Sequence, residues 1–224
     1  MPIITDISQA VVLLKEGGIV AIPTETVYGL GGDALNVEAV AKIFAAKNRP
    51  SFDPLIVHVS NVEQAQTIAH LDDVAISLLR KFSPGPLTLV LPKKSVVPDL
   101  VTSGHPTVAI RIPNHPVALE VLRQSGLCIA APSANPFGYT SPTTAQHVEE
   151  FLGPRIDAVL DGGTCDVGIE STIIDLSGNR PKVLRLGGLP YEALTEVLGE
   201  LPLQTSSSTP HAPGMLISHY NPGI

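Results

Sequence analysis

Four cations and a few hydroxyl and amide side chains sit where their neighbours give them chemistry to do. Lys47 and Arg49 lie two residues apart in KNRP, at the end of a helical stretch and just ahead of a buried strand. Their charges either match the negative end of the helix dipole, worth roughly 0.3–1 kcal/mol, or face an anionic ligand. Arg111 lies inside the apolar run VAIRI. An unpaired guanidinium there costs several kcal/mol, so it demands an anion from the protein or from a substrate. Arg185 repeats that setting in VLRLG, and His58, between valines in LIVHV, is either a satisfied core histidine or a ligand. Ser133 and Asn135 in PSAN, and Ser141 ahead of Pro142, are turn formers or donors to a ligand. Ser171, following Glu170, is a strand former or a hydroxyl offered to a site.

No Walker A sequence, G-x-G-x-x-G, G-x-S-x-G or H-E-x-x-H is present. Phosphate chemistry would therefore have to rely on loops at strand ends: PTETVYGL, KNRP, RIP, PSAN with YTSP, GIESTIIDL and VLRLG. Each supplies hydroxyls, amides or a guanidinium where an open sheet presents its ligands.

Alternating strands and helices position those loops. Ile7 to Glu16 has helical apolar spacing and stops at Gly17 and Gly18; the strand IVAI follows and runs into PTETVYGLGGDA, read as a loop. Asn36 is the expected N-cap of VEAVAKIFAAK, and LIVHV, LTLVL, TVAIRIP and CIAA read as strands. Helices are expected over Val62 to Ala69 and Asp73 to Phe82, and another opens at His115 with Pro116. Thr143 and Gln146 suggest a capping box for the helix through Phe151; AVLD, STIIDL and KVLRL then precede a last helix near Tyr191 to Leu198. The late strands come close together, so a mixed sheet in an α/β fold is expected. After Gly199 the chain becomes a polar linker, ELPLQTSSSTP, ending in HAPGMLISHYNPGI, whose apolar residues need a docking surface.

The 224 residues are 44% hydrophobic and 16% charged, an ordinary globular composition with no apolar run near the ~18 residues of a membrane span. A net charge of -7 and the absence of Trp argue against a dedicated nucleic-acid binder. They leave room only for a weak local RNA contact at Lys47, Arg49, Arg111 and Arg185. Cys128 and Cys165 are too few for a disulfide framework and lack metal-ligand spacing, so no protein-held metal is expected. With no signal-like start in MPIITDISQA, a cytoplasmic setting is the default expectation.

In chain order, PTETVYGL, KNRP, SPGPLTLVL, VAIRIP, APSAN, SPTTA, ESTIIDL and VLRLG resemble the YrdC-like threonylcarbamoyl-AMP synthase family across nearly the whole chain. The family's K-x-R and S-x-N elements recur as Lys47, Arg49, Ser133 and Asn135. The resemblance implies a YrdC-like open twisted mixed β-sheet flanked by helices. It implies a catalytic domain over 1–199 and a linker or lid tail over 200–224, similar to that of longer members with a second domain, which is absent before Ile224.

It further implies condensation of L-threonine, bicarbonate and ATP, with Mg²⁺ on the phosphates, to threonylcarbamoyl-AMP and pyrophosphate. The product would pass to a threonylcarbamoyl transferase acting on adenosine 37 of tRNA. By the same resemblance Thr26, His58, Arg111, Ala131 and Ser171 hold threonine, while Lys47, Arg49, Asp53, Thr107, Ser133, Asn135, Ser141, Arg185 and Tyr220 hold ATP. Lys47, Arg49, Ser133 and Asn135 would carry the chemical step. Two rival readings are an RNA-binding module without chemistry and a carbamoyl-transfer domain; the extra segments of the latter are missing.

Overall fold

Strand β2 (Val20–Ile22) shows how the sequence builds layers. Its side chains alternate between faces, as a strand requires. Ile19 and Ala21 join one apolar cluster, and Val20 and Ile22 the other. The computed structural model describes residues 2–50, 52–204 and 212–213.

In chain order the elements are β1 (Ile3–Ile4), α1 (Ile7–Lys15), β2, β3 (Gly29–Asp33), α2 (Val37–Lys47), β4 (Ile56–His58), α3 (Val62–Ile68) and α4 (Asp73–Phe82). Then come β5 (Leu87–Pro92), α5 (Asp99–Thr102), β6 (Thr107–Arg111), α6 (Pro116–Ser125), β7 (Ile129–Ala130) and α7 (Ala145–Leu152). The order closes with β8 (Ala158–Leu160), β9 (Thr172–Asp175), β10 (Lys182–Arg185) and α8 (Tyr191–Leu198). Among the described residues the strands form one sheet in the order β1-β8-β2-β3-β7-β4-β6-β5-β9-β10. Parallel pairs such as β4 with β6 occur beside antiparallel ones such as β5 with β6. The sheet is the expected open, mixed one.

Helices α1 and α6 cover one face of the β1 to β7 half through Val11, Leu14, Val121 and Leu122. Helices α2, α4 and α7 cover the other through Ile43, Phe44, Leu78 and Val148. Under β4, β5, β6 and β9, the alternate residues Ile56, Val90, Ala109 and Ile173 meet Ala212, which is completely buried. The tail therefore docks on the sheet at that point. The start of the tail also bonds to β10: Val183 N–H donates to Pro202 O and Gln204 N–H to Val183 O.

Two local expectations change. PTETVYGLGGDA is a loop only up to Tyr28, because GLGGD forms β3. A Cβ on Gly31 would stand 3.0 Å from Ile129 Cγ2, and one on Gly32 3.1 Å from Ile43 Cδ1. The glycines let this central strand sit tightly against its neighbours, which the usual β-propensities disguise. The helix after YTSP is capped one residue later than expected, by Thr144, whose hydroxyl accepts from His147 N–H.

Candidate active site

The loops that the sequence singles out converge beyond the ends of β2, β4, β6 and β7. Backbone hydrogen bonds stitch them together: Leu30 N–H to Pro132 O, Ala134 N–H to Tyr28 O and Tyr28 N–H to Pro142 O. Val167 N–H and Gly168 N–H donate to Glu25 O and Thr26 O. Gly187 lets the end of β10 press in, since a Cβ there would fall 2.2 Å from Glu170 O. Between these loops lies a cleft of about 500 Å³, its open mouth included.

All five residues linked to threonine line that cleft: Thr26, His58, Arg111, Ala131 and Ser171. Arg111 enters from the last position of β6 and is 4% exposed. Its Nη2 lies 2.7 Å from Glu25 Oε1, Nη1 donates to Thr26 Oγ1 at 2.8 Å, and Nε reaches Gly85 O at 3.4 Å. The Thr24 hydroxyl donates its single proton to Val27 O at 2.7 Å, so the 2.9 Å contact between Thr24 and Thr26 is a bond donated by Thr26. Thr26 therefore turns only an acceptor lone pair toward a ligand, beside the donors of Arg111. His58 is buried with Nδ1 unpartnered. Burial, then the neighbouring Arg111 charge, pushes its pKa down to about 3, so it is a neutral imidazole. Ser171 Oγ bonds Thr88 Oγ1 at 2.7 Å.

The residues linked to ATP divide. Arg49, Ser133 and Arg185 line the cleft. Arg49 is paired at 2.9 Å with Asp53, donates to Asp53 O and Pro54 O, and lies over the Phe137 ring. Asp53 is itself fully buried behind it; desolvation raises its pKa, against the pull of Arg49, Lys47 and Arg185. Arg185 donates to Ser171 O, Ser171 Oγ and Pro213 O. Lys47, 1% exposed, donates its ammonium to the backbone carbonyls of Ser133 and Asn135. It grips the PSAN loop from behind rather than lining the cleft. Burial, followed by the Arg49 charge, draws its pKa well below the usual lysine value.

Asn135 donates to Pro136 O and Tyr139 O and keeps a buried, unpartnered Oδ1. Ser141 donates to Glu170 Oε1 at 2.7 Å, bridging the loops on either side of the mouth. The structure does not bring Thr107 to the site. It opens β6 opposite Pro92, four residues from Arg111 and roughly 13 Å away at ~3.3 Å per residue. Tyr220 lies outside the described residues.

Glu25 and Glu170 are the residues that sequence reasoning passes over. Both stand inside singled-out segments, PTETVYGL and GIESTIIDL. The demand of Arg111 for a buried anion was the available signal for Glu25. Among the described residues no group of three or more His, Cys, Asp or Glu side chains is arranged to hold a metal ion. No helix there is long and apolar enough to cross a membrane.

A family model described as "Telomere recombination", the Sua5/YciO/YrdC model, matches residues 12–187. The chain is 48% identical over 215 residues to threonylcarbamoyl-AMP synthase of Pyrococcus abyssi, covering 93% of this chain and 63% of the relative. It is 46% identical over 222 residues to the Bacillus subtilis enzyme of that name, covering 96% and 64%. The crystal structure of P. abyssi Sua5 complexed with L-threonine superposes with a TM-score of 0.93 at 47% identity, covering 96% of this chain and 65% of that one. The chain thus spans under two thirds of the length of these relatives.

Proposed function

The chain belongs to the Sua5/YciO/YrdC family, and from that premise we propose that it is a threonylcarbamoyl-AMP synthase. The observation that carries this reading is the joint placement of Thr26, His58, Arg111, Ala131 and Ser171 on one cleft with Arg49, Ser133 and Arg185. On this reading, a site for a carboxylate and a site for phosphates would meet there.

In the proposed reaction, the threonine amine in its neutral form attacks bicarbonate, water leaves, and a carbamate forms. A carbamate oxygen then attacks the α-phosphorus of ATP, and pyrophosphate departs. Arg111 would hold the amino-acid carboxylate through its planar fork. Arg49 and Arg185 would face the phosphates, where charge accumulates. No side-chain nucleophile is required, so catalysis rests on positioning and charge stabilisation. Lys47 supports the reaction by fixing the PSAN loop, a role alongside the direct one its motif implies. Mg²⁺ would come with the nucleotide, whose phosphate oxygens are its natural ligands. Glu170, the carboxylate at the cleft, is the side chain nearest to that use.

The tail over 200–224 would close the site. Supporting this, Ala212 is buried on the sheet beside Ile56, and Pro213 lines the cleft with its carbonyl on Arg185. A closed site protects an acyl adenylate from water. The product would then serve a threonylcarbamoyl transferase acting on adenosine 37 of tRNA, in the cytoplasm.

Incubating the protein with ATP, Mg²⁺ and bicarbonate, with and without L-threonine, tests the reading. We expect pyrophosphate release that needs both threonine and bicarbonate, with the adenylate detected by mass. Release indifferent to threonine would overturn it.

A further inference from the structure

Glu25 is 5% exposed and does not line the cleft, yet it pairs with the Arg111 guanidinium, which does. Arg111 Nη2 and Glu25 Oε1 are 2.7 Å apart, and Nη2 and both Glu25 oxygens are sealed from solvent. Nη1 donates to Thr26 Oγ1, and Nε to Gly85 O. The other titratable groups within reach of the Glu25 charge are His115, whose pKa burial lowers, and Cys165, whose thiol burial pushes up to about 11; Asp166 faces both.

A lone guanidinium in such a place would bind any small anion, because a buried positive charge without compensation gains from every carboxylate that reaches it. Glu25 removes that gain. The pair is close to neutral, and the Glu25 charge remains to favour a cation nearby. In an α-amino acid the ammonium is one carbon away from the carboxylate. A substrate carboxylate on Arg111 therefore brings its ammonium into the range over which an opposite charge acts.

We propose that Glu25 is a specificity-determining counter-ion: it cancels the charge of Arg111 through a buried ion pair, and so makes the cleft prefer a zwitterionic amino acid over a simple carboxylate of the same shape. This rests on the reading that Arg111 receives the substrate carboxylate. Glu25 acts in recognition, before the ammonium sheds its proton for carboxylation.

The test compares binding of L-threonine with that of 3-hydroxybutyrate, which is threonine without its amino group, by calorimetry on the full chain in the absence of nucleotide. The wild type should favour threonine by at least about tenfold, and Glu25→Gln should reduce that ratio about tenfold, both by weaker threonine and by tighter hydroxybutyrate binding. ATP affinity should stay within about twofold, which a general loss of structure would not allow. Glu25→Asp keeps the charge but draws it back, so the ratio should fall only about threefold; this variant decides the matter if the Gln variant does not fold. An unchanged ratio in a folded variant overturns the proposal and leaves the synthase reading intact. A wild type that binds neither compound overturns both.

Discussion

Arg111 and Lys47 are both almost inaccessible cations, 4% and 1% exposed, at the C-terminal ends of β6 and α2. The protein compensates them in opposite ways. Arg111 has a carboxylate behind it and a cleft in front. The two carbonyls that receive the Lys47 ammonium belong to the loop after β7. A carboxylate partner neutralises a charge at short range while leaving donors for a ligand. Two carbonyl partners take two of the three ammonium donors and convert the side chain into a fastening. The difference teaches that burial of a cation in a site does not by itself make it a ligand: what its hydrogens point at decides.

The comparison breaks most visibly at Arg111. Arg111→Gln strands a buried carboxylate, and breaking such a pair costs roughly 3–5 kcal/mol of stability. Threonine-dependent pyrophosphate release should fall about 10³-fold while ATP binding to the folded fraction persists. Equal loss of ATP and threonine binding would erase the distinction drawn here. Lys47→Met comes next. It leaves two carbonyls without their donor, at about 1–3 kcal/mol for each group left unsatisfied in the interior. Turnover should drop about 10²-fold with threonine and ATP affinities falling together, since the PSAN loop serves both. If ATP affinity alone fell, Lys47 would be a direct phosphate ligand after all.

Much of this division was legible before the structure. An arginine inside VAIRI already required an anion, and the helix VEAVAKIFAAK, with Asn36 as its cap, spans Val37–Lys47 as read. What escaped was whatever depends on contacts between distant segments. GLGGD carries no strand signature because its fitness for β3 lies in the Ile129 and Ile43 side chains that fill the space over its glycines. Glu25 looks like one more polar loop residue until β6 delivers Arg111 to it across 86 positions, a pairing no local spacing encodes. Thr107 shows the converse. The resemblance carries it into a site list, but the extended rise of β6 keeps it at the far end of the strand.

His58 offers the mildest test, because it sits beside Arg111 yet is held by burial rather than by a charge partner. Its folded pKa, about 3, lies below the value of 6.5 expected when unfolded. Between those two pH values the unfolded chain binds a proton that the folded protein refuses, so this group makes stability rise with pH, by up to about 1.4 kcal/mol per pH unit. Above the unfolded pKa its contribution is flat. Denaturant melts of the wild type and His58→Gln between pH 4 and 7 should differ in slope in that sense, with the variant less sensitive to acid even if it is less stable at neutral pH. Parallel slopes would mean that the imidazole is protonated in the folded state. That would put a second positive charge beside Arg111 and make the Glu25 carboxylate the shared counter-ion of both.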